Sequence, residues 1–289
     1  MPDYHIGSLD EVSRKVLAEG EVQLESTGPR EYFLDSRAWT KAVLHSKTTI
    51  SWDSRVFTFK LEHDDQKLGL PTGQHLMMRL RDPVTREAII RSYTPISEST
   101  SKGYLDVLVK VYFDTKERKG GKMTKAMDAL PVGHSIDFKG PIGKFEYFGK
   151  GRCSVNGNER FVKRFFMICG GSGVTPVYQV FRAVLQDQED KTHCVLLNGN
   201  RLVEDILCRE DLDRLAMANE ERCKLLYTLT QAPEGWKGLK GRIAAPLLKE
   251  HVSKQDDSMV LICGPEALEK NAHTTLNEQG WEDKDLLFF

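Results

Sequence analysis

The 289-residue chain has almost no excess charge and no long apolar run. Its 41 basic and 42 acidic side chains leave a formal net charge of -1, so it lacks the basic surface typical of proteins that bind nucleic acid or anionic membranes. It contains no apolar stretch of about 18 residues, the length that a membrane-spanning helix needs. The first residues, MPDYHIGSLDEV, do not resemble a secretory signal peptide. These absences predict a cytoplasmic protein that binds neither nucleic acid nor a membrane.

Cysteine and histidine are scattered along the chain rather than clustered. The six cysteines form no C-x-x-C pair, which argues against a zinc ribbon. The eight histidines show no metal-ligand spacing. Several cysteines lie in strand-like apolar runs such as FFMICGG and MVLICGP, which favours reduced, buried thiols. We therefore predict no metal site.

The two halves of the chain differ in pattern. From about Trp39 to Phe148, short β-like runs are divided by turn residues, and YLDVLVKVYF (Tyr104 to Phe113) alternates most clearly. In that half only MTKAMDAL (Met123 to Leu130) is typical of a helix. Regular short strands with one helix predict a closed antiparallel barrel.

The second half alternates apolar strands with helix-like segments. The strands FFMICGG, HCVLLNGN, CKLLYTLT and SMVLICGP are each followed by an amphipathic run, for example VEDILCREDLDRLAM after the second. Four such units predict a parallel sheet with helices on its faces. The glycine-rich segment between the halves indicates a connection, with a hairpin at Asn156-Gly157. We predict an arm over 1–35, a β-barrel domain over 36–148, a connection over 149–163 and an α/β domain over 164–289.

The stretch CGGSGVTPVYQ (Cys169 to Gln179) lies where a predicted strand meets a predicted helix. Glycines there allow backbone N–H groups to approach a phosphate, and the helix N-terminus adds partial positive charge. Pro176 suits the first helical turn. The pattern is G-x-G-x-x-P rather than the full dinucleotide fingerprint, so alone it fits either a dinucleotide site or an ordinary tight crossover.

Two further stretches contain candidate binding residues. In LICGPEALEK, residues Cys263 to Pro265 end the last predicted strand on the same sheet edge as the glycine loop; Cys263 is either a small packed residue or a polarizable thiol facing a cofactor. In RSYTPIS, Arg91 offers a forked cation to a pyrophosphate, Tyr93 a ring to a flat ligand and Thr94 a hydrogen bond to a ring edge. The turn from Gly120 to Thr124 is a second phosphate cradle.

The order of these motifs resembles one family. RSYT, VKVY, GGKMT, GPIG, CGGSGVTP and CGP, followed by an aromatic C-terminus, resemble the ferredoxin-reductase-like flavoproteins and their cytochrome b5 reductase branch. NGNRLVEDILCREDLD and the terminal LLFF are similar to the C-terminal flavin and nicotinamide module of eukaryotic, fungal-type assimilatory nitrate reductases. The resemblance covers roughly Trp39 to Phe289. It implies an antiparallel Greek-key β-barrel FAD domain followed by a Rossmann-like parallel-sheet nicotinamide domain.

The resemblance also implies residue roles. The residues expected to bind FAD or to line its site are Arg91, Ser92, Tyr93, Thr94, Val109, Lys110, Tyr112, Phe113, Gly121, Lys122, Met123 and Thr124. The residues expected to bind the pyridine nucleotide are Gly171, Ser172, Gly173, Thr175, Arg201, Asp205, Cys263, Gly264 and Pro265. Cys263, Lys110 and Thr94 are the expected catalytic residues, with Cys263 positioning the nicotinamide rather than attacking it, and Thr175 is expected between flavin and nicotinamide.

The implied activity is hydride transfer from NAD(P)H to FAD, followed by one-electron transfer to a cytochrome b5-type haem domain that feeds nitrate reduction to nitrite. DYHIGSLDEV is similar to the end of such a haem domain. The haem motif His-Pro-Gly-Gly is absent, so haem and molybdopterin are expected only on domains outside this sequence. A homodimer through the full-length enzyme is possible.

The choice of nucleotide depends on NGNRLVEDILCRE. Asp205 can accept a hydrogen bond from a ribose 2′-OH, which favours NADH, whereas Arg201 or Arg209 can hold a 2′-phosphate. The resemblance to fungal enzymes favours NADPH. Two alternatives stay open: a stand-alone NADH-cytochrome b5 reductase, and a flavin- or dinucleotide-binding sensor without turnover.

Overall fold

The computed structural model describes residues 31–82, 85–117 and 119–289. Most of the predicted arm, residues 1–30, lies outside the described residues. The described chain forms two compact units, one containing residues 31–70 and 75–142, the other containing Pro71–Gln74 and Gly143–Phe289. The domain bounds given by the sequence stay a prediction.

The first unit contains six strands and one helix. Their bounds are β1 Thr40–Thr49, β2 Ser54–Lys60, β3 His75–Arg81, β4 Ala88–Tyr93, β5 Tyr104–Lys110, α1 Lys122–Ala129 and β6 Ser135–Ile142. The strands form one sheet in the order β4-β3-β6-β1-β2-β5, and all neighbours are antiparallel. The segment after β4 also reaches the opposite edge, where the N–H of Ile96 donates to the carbonyl of Asp106 at 2.9 Å. The sheet therefore curls into a barrel, as predicted.

Alternating side chains fill this barrel. Phe57 and Phe59 of β2 are fully buried, and the Phe59 ring meets that of Phe138 edge-on at 5.0 Å. Helix α1 adds Met123 and Met127, which are one turn apart and both buried. Each such side chain contributes about 1.5–3 kcal/mol by leaving water.

The second unit contains a small antiparallel sheet and a larger parallel sheet with helices. Their bounds are β7 Phe145–Gly149, β8 Arg152–Val155, β9 Asn158–Phe161, β10 Arg164–Gly170, α2 Val174–Gln186, β11 His193–Asn200, α3 Arg209–Met217, β12 Cys223–Leu229, β13 Leu239–Lys240, α4 Ala245–His251, β14 Ser258–Cys263, α5 Glu266–Glu278 and β15 Leu286–Phe288. Short 3-10 turns lie at Gly171–Gly173, Val203–Asp205 and Asp283–Asp285.

The parallel sheet has the order β13-β12-β11-β10-β14-β15, and every neighbour pair is parallel. The chain first moves outward from β10 through β11 to β12, and then crosses to β14 on the other side of β10. In open parallel sheets, ligands bind outside the carboxyl ends of strands at such a reversal. The topology confirms the predicted Rossmann-like sheet and directs attention to the residues after β10 and β14.

The structure differs from the sequence pattern in local details. The helix expected from Val203 begins only at Arg209, because Cys208 adopts a left-handed φ of 56° that interrupts it. Residues 149–163 contain the β8–β9 hairpin, with Asn156 and Gly157 at positive φ in its turn, at the position where the sequence predicts a hairpin. Within the described ranges, no helix combines the length and the apolar character needed to cross a membrane.

Candidate functional sites

The first candidate site lies at the end of β4. Arg91 and Ser92 are exposed, Tyr93 is half-buried and Thr94 is buried, so only the first two side chains are largely accessible to solvent. Burial raises the pKa of Tyr93 to about 12, and its phenol therefore stays neutral at physiological pH. Helix α1 packs against β3 and against β4, the strand that ends at these residues.

The turn before α1 has no room for side chains. A Cβ atom on Gly120 would stand 2.2 Å from the carbonyl oxygen of Tyr112, and one on Gly121 would stand 2.6 Å from Oγ1 of Thr124. No side chain caps α1, which begins after Gly121. Its first N–H groups therefore have no capping side-chain acceptor, which suits an anionic ligand.

Two side chains fix the shape of this turn. Asp114 accepts hydrogen bonds from the N–H of Gly120 at 2.6 Å and from Nζ of Lys125 at 2.7 Å. The bond from Lys125, followed by that from Gly120, lowers the pKa of Asp114. Oγ1 of Thr124 accepts from the N–H of Tyr112 at 3.2 Å and donates to the carbonyl of Gly121 at 3.3 Å.

Other expected FAD residues differ in accessibility. Val109 and Met123 are buried in the barrel core, so only their backbone atoms are available to a ligand. Lys122 is exposed. Tyr112 and Phe113 follow the end of β5, and each exposes about two fifths of its surface, 40% and 37%.

The turn between β1 and β2 contributes two residues that the sequence did not indicate. The ring of Trp52 stacks on that of Phe113 at 6.2 Å. Oδ2 of Asp53 lies 3.0 Å from Nζ of Lys110. A single acid or tryptophan in a turn has no periodic signal, so only the pairing of β2 with β5 reveals these contacts.

The second candidate site lies at the carboxyl ends of β10 and β14. The 3-10 turn Gly171–Gly173 leads directly into α2, and no side chain caps either element. A Cβ atom on Gly173 would stand 2.3 Å from the carbonyl oxygen of Cys263. The glycine loop and the end of β14 are thus in direct contact, on the shared sheet edge that the sequence predicts.

The side chains of this turn are held locally. Oγ1 of Thr175 donates to the carbonyl of Ser172 at 3.3 Å. Beside them, the N–H of Gly264 donates to Oε1 of Glu269 at 3.2 Å, which fixes the start of α5 next to the exposed Pro265. Burial raises the pKa of the half-buried Cys263 thiol to about 12, so the thiol is neutral and not a nucleophilic thiolate.

The residues expected to select the nucleotide do not share one environment. Asp205 is buried, and its Oδ2 accepts the N–H of Leu202 at 3.0 Å within the same short turn. Arg201 is exposed. The Asp205 carboxylate is thus used by its own backbone, which disfavours it as the acceptor for a ribose hydroxyl.

Arg209 lines a cavity of about 580 Å³ beside β12 and β13 of the parallel sheet. Its guanidinium carbon lies 5.9 Å from the ring centres of both Tyr227 and Trp236. Nε of Arg209 is 3.6 Å from Oδ2 of Asp213. Lys237 lines the same cavity, which therefore combines two cations with two aromatic rings.

Two asparagines at the end of β11 were not expected from the sequence. Nδ2 of Asn200 donates to Oδ1 of Asn198 at 2.9 Å. The remaining atoms of this pair, Nδ2 of Asn198 and Oδ1 of Asn200, are buried without a hydrogen-bond partner in the described structure. A buried polar atom without a hydrogen-bond partner raises the free energy of the folded state. The pair therefore indicates that a polar ligand can bind at this end of the sheet.

Known proteins share this organisation. Residues 41–147 match the oxidoreductase FAD-binding domain family and residues 167–274 match the oxidoreductase NAD-binding domain family. The chain resembles the crystal structure of the cytochrome b5 reductase domain of Ulva prolifera nitrate reductase, with a TM-score of 0.84 and 37% identity over 89% of this chain and 100% of that one. The chain belongs to this family of FAD- and NAD-binding oxidoreductases. The family resemblance and the two-domain fold class predicted from the sequence are therefore confirmed.

Curated relatives include longer proteins. The chain is 61% identical to "Nitrate reductase [NADPH]" of Leptosphaeria maculans over 292 residues, which is 100% of this chain and 33% of that protein. It is 42% identical to "Nitrate reductase [NADH]" of Lotus japonicus, over 85% of this chain and 28% of that protein. The chain thus spans about a third of the length of these relatives.

The described residues fit both groups that the family binds. The narrow Gly120–Gly121 turn and the uncapped start of α1 suit the phosphates of FAD, and Tyr93 offers a neutral ring beside them. The Gly171–Gly173 turn against Cys263 suits a dinucleotide phosphate. Each unit therefore provides one glycine turn that suits a phosphate.

Proposed function

We propose that this chain is the NADPH-dependent flavin reductase module of a nitrate reductase. The observation that supports it best is the presence of two tight glycine turns, each at the uncapped start of a helix and one in each unit. A reductase of this kind needs two phosphate-bearing groups, one resident and one exchanged. Bound FAD would supply the chemistry, because a flavin can accept a hydride from a nicotinamide and release electrons singly.

In the first unit we assign the binding of FAD. Arg91 faces the pyrophosphate, and the N–H groups that follow Gly121 hold the phosphates, because both offer positive charge to an anion. Tyr93 and Thr94 border the isoalloxazine, while Lys110 supplies a cation at the reaction centre. The other expected contacts are Ser92, Val109, Tyr112, Phe113, Lys122, Met123 and Thr124.

In the second unit we assign the binding of the pyridine nucleotide. The Gly171–Gly173 turn and Thr175 hold the phosphates, and Cys263, Gly264 and Pro265 place the nicotinamide. Orientation and distance are the contribution of these residues, since hydride transfer needs no protein acid or base. The neutral thiol of Cys263 suits this positioning role.

NADPH is the favoured nucleotide. The buried Asp205 carboxylate binds its own turn, whereas Arg209 and Lys237 place two cations in one cavity with Tyr227 and Trp236. Such a cavity suits the 2′-phosphate and the adenine ring together. Six of seven relatives named for NADPH are more similar to the chain than one named for NADH, at 47–61% against 42% identity, which supports the same choice.

The partner that we propose is a cytochrome b5-type haem domain of the same full-length enzyme. The haem and the molybdopterin would lie on domains of that enzyme outside this sequence. The full-length enzyme would reduce nitrate to nitrite as its final reaction. It would also be the form of the protein that makes a homodimer. All six cysteines are unpaired, which suits the reducing cytoplasm.

The decisive experiment is anaerobic stopped-flow spectroscopy of the purified chain at the flavin band, with NADPH and NADH in parallel. Fast bleaching by NADPH, followed by reduction of added cytochrome b5 domain, is the expected result. Faster bleaching by NADH would favour a stand-alone NADH-cytochrome b5 reductase. A protein without flavin, or a flavin that neither nucleotide reduces, would leave a binding module and overturn the proposal.

A further inference from the structure

Asp53 is a buried acid in the turn between β1 and β2. Its side chain is only 4% exposed, and its Oδ2 lies 3.0 Å from Nζ of Lys110, the last residue of β5. The Lys110 side chain is 19% exposed. Burying a carboxylate is unfavourable unless a cation and hydrogen-bond donors compensate it, so the position of this side chain depends on its partners.

The partners of Asp53 hold it from two directions. Its Oδ1 accepts hydrogen bonds from the hydroxyls of Ser51 and Ser54, each at 3.0 Å. Its backbone carbonyl accepts the N–H of Val111 at 2.6 Å. Ser54 is also the Cα partner of Lys110 in the β2–β5 pairing. The carboxylate is therefore fixed both to its own turn and to the strand that carries the lysine.

A fixed carboxylate matters because lysine is flexible. A lysine side chain loses rotamer entropy when it is ordered, and an ammonium that is already ordered does not incur this cost when a ligand arrives. We propose that Asp53 is a positioning residue for hydride transfer: it holds the Lys110 ammonium in the orientation that the reaction uses. This inference rests on the proposed catalytic role of Lys110.

The first test replaces Asp53 with asparagine. Asp53→Asn keeps the shape of the side chain but removes its charge. We expect flavin reduction at saturating NADPH to slow by about tenfold or more, and NADP⁺, titrated by its perturbation of the flavin spectrum, to bind more weakly. The FAD content should stay unchanged. The matched control is Asp137→Asn, which removes ion pairs with Lys41 (3.1 Å) and Arg79 (2.9 Å) in the same barrel and should leave the rate within about twofold.

A double-mutant cycle separates positioning from general damage. In a Lys110→Met background, Asp53 has no ammonium to hold, so Asp53→Asn should lower the rate by less than about twofold further. If the two effects multiply instead, Asp53 acts independently of Lys110 and the proposal is wrong. A flavin-loaded Asp53→Asn protein that reacts at the wild-type rate also overturns it.

Milder variants cover the case in which Asp53→Asn does not retain FAD. Ser51→Ala and Ser54→Ala each remove one hydrogen bond to Oδ1, and each should slow flavin reduction by roughly two- to fivefold with Lys110 present and not in the Lys110→Met background. Unchanged rates in both serine variants would contradict the proposal. Failure of the proposed function itself has a different result, because then neither nucleotide reduces the wild-type flavin.

Discussion

Gly173 lies directly against the backbone of Cys263. A Cβ atom on Gly173 would stand 2.3 Å from the carbonyl oxygen and 2.6 Å from the carbonyl carbon of Cys263, distances that packed atoms do not adopt. The turn that begins α2 and the strand end that begins α5 therefore hold their shapes only together. The backbone conformation does not require glycine here, because the φ of -64° at Gly173 is open to any residue. Glycine is required only because the two backbones approach so closely.

Gly173→Ala should disrupt nucleotide binding. The added methyl group must push the turn away from Cys263, which displaces the N–H groups proposed to hold the phosphates. We expect the second-order rate of flavin reduction by NADPH to fall by about tenfold or more, with FAD content unchanged. Gly264→Ala is the graded comparison, because its Cβ would be 3.2 Å from the nearest atom, the backbone nitrogen of Gly170. An equal loss in both variants would contradict this explanation.

Gly120→Ala should weaken FAD binding. Its Cβ would stand 2.2 Å from the carbonyl oxygen of Tyr112, a backbone atom that cannot rotate away. Gly121→Ala should be milder, since its nearest neighbour is the Thr124 hydroxyl. Fluorescence titration of the apoprotein with FAD should give a dissociation constant that rises by about tenfold or more for the first variant and by less for the second. A larger rise in the dissociation constant for Gly121→Ala than for Gly120→Ala would show that the contact with Tyr112 does not restrict the turn.

The sequence predicts the regular parts of the fold well, since periodicity depends only on local order. The alternation of Leu105, Val107 and Val109 identifies β5, and GGSG before a helix identifies the glycine turn that precedes α2. Asp53 could not be predicted, because its role arises from the pairing of Ser54 with Lys110 across two strands. The left-handed Cys208 that delays α3 also has no local signal, since this conformation is rare for cysteine.

Arg209→Leu should lower the preference for NADPH. Arg209 is proposed to meet the 2′-phosphate, the only group that NADH lacks, so the change should raise the KM for NADPH by about tenfold and leave that for NADH nearly unchanged. Steady-state ferricyanide reduction with each nucleotide measures both constants. Arg214→Leu is the control, because Arg214 lies on the same helix and pairs with Asp211 at its surface. Equal losses with both nucleotides would place Arg209 outside the phosphate site.

Cys263→Ser should slow hydride transfer without releasing FAD. Serine is smaller and less polarizable, so it should place the nicotinamide less well, and we expect a decrease of roughly tenfold. Since burial raises the pKa of Cys263 to about 12, the thiol stays protonated from pH 6 to pH 9, and the wild-type rate should show no step from this group. Stopped-flow measurements across that range test both points, with Cys223→Ser as the control. A rate of flavin reduction that rises with pH as the Cys263 thiol ionises would contradict the positioning role.

Tyr147→Phe should destabilise the second unit. The Tyr147 hydroxyl donates to the carboxylate of Asp190, which is fully buried, and also accepts the N–H of Gly151 at 2.9 Å. Removing it leaves a buried carboxylate with one donor fewer, at a cost of about 1–3 kcal/mol. Urea unfolding measures this loss. Tyr104→Phe is the control, since Tyr104 is 41% exposed, and it should change the free energy of unfolding by less than about 0.5 kcal/mol.

The same tyrosine should make stability depend on pH at the alkaline end. Burial, followed by the hydrogen bond to Asp190, raises the pKa of Tyr147 above its ordinary value of 10.0. The folded state then keeps a proton that the unfolded state loses, so this contribution is complete below pH 10 and decreases as the pH rises towards the folded pKa. The free energy of unfolding should therefore fall more steeply above pH 10 in the wild type than in Tyr147→Phe. Parallel slopes for the two proteins would show that the hydroxyl is not buried against Asp190.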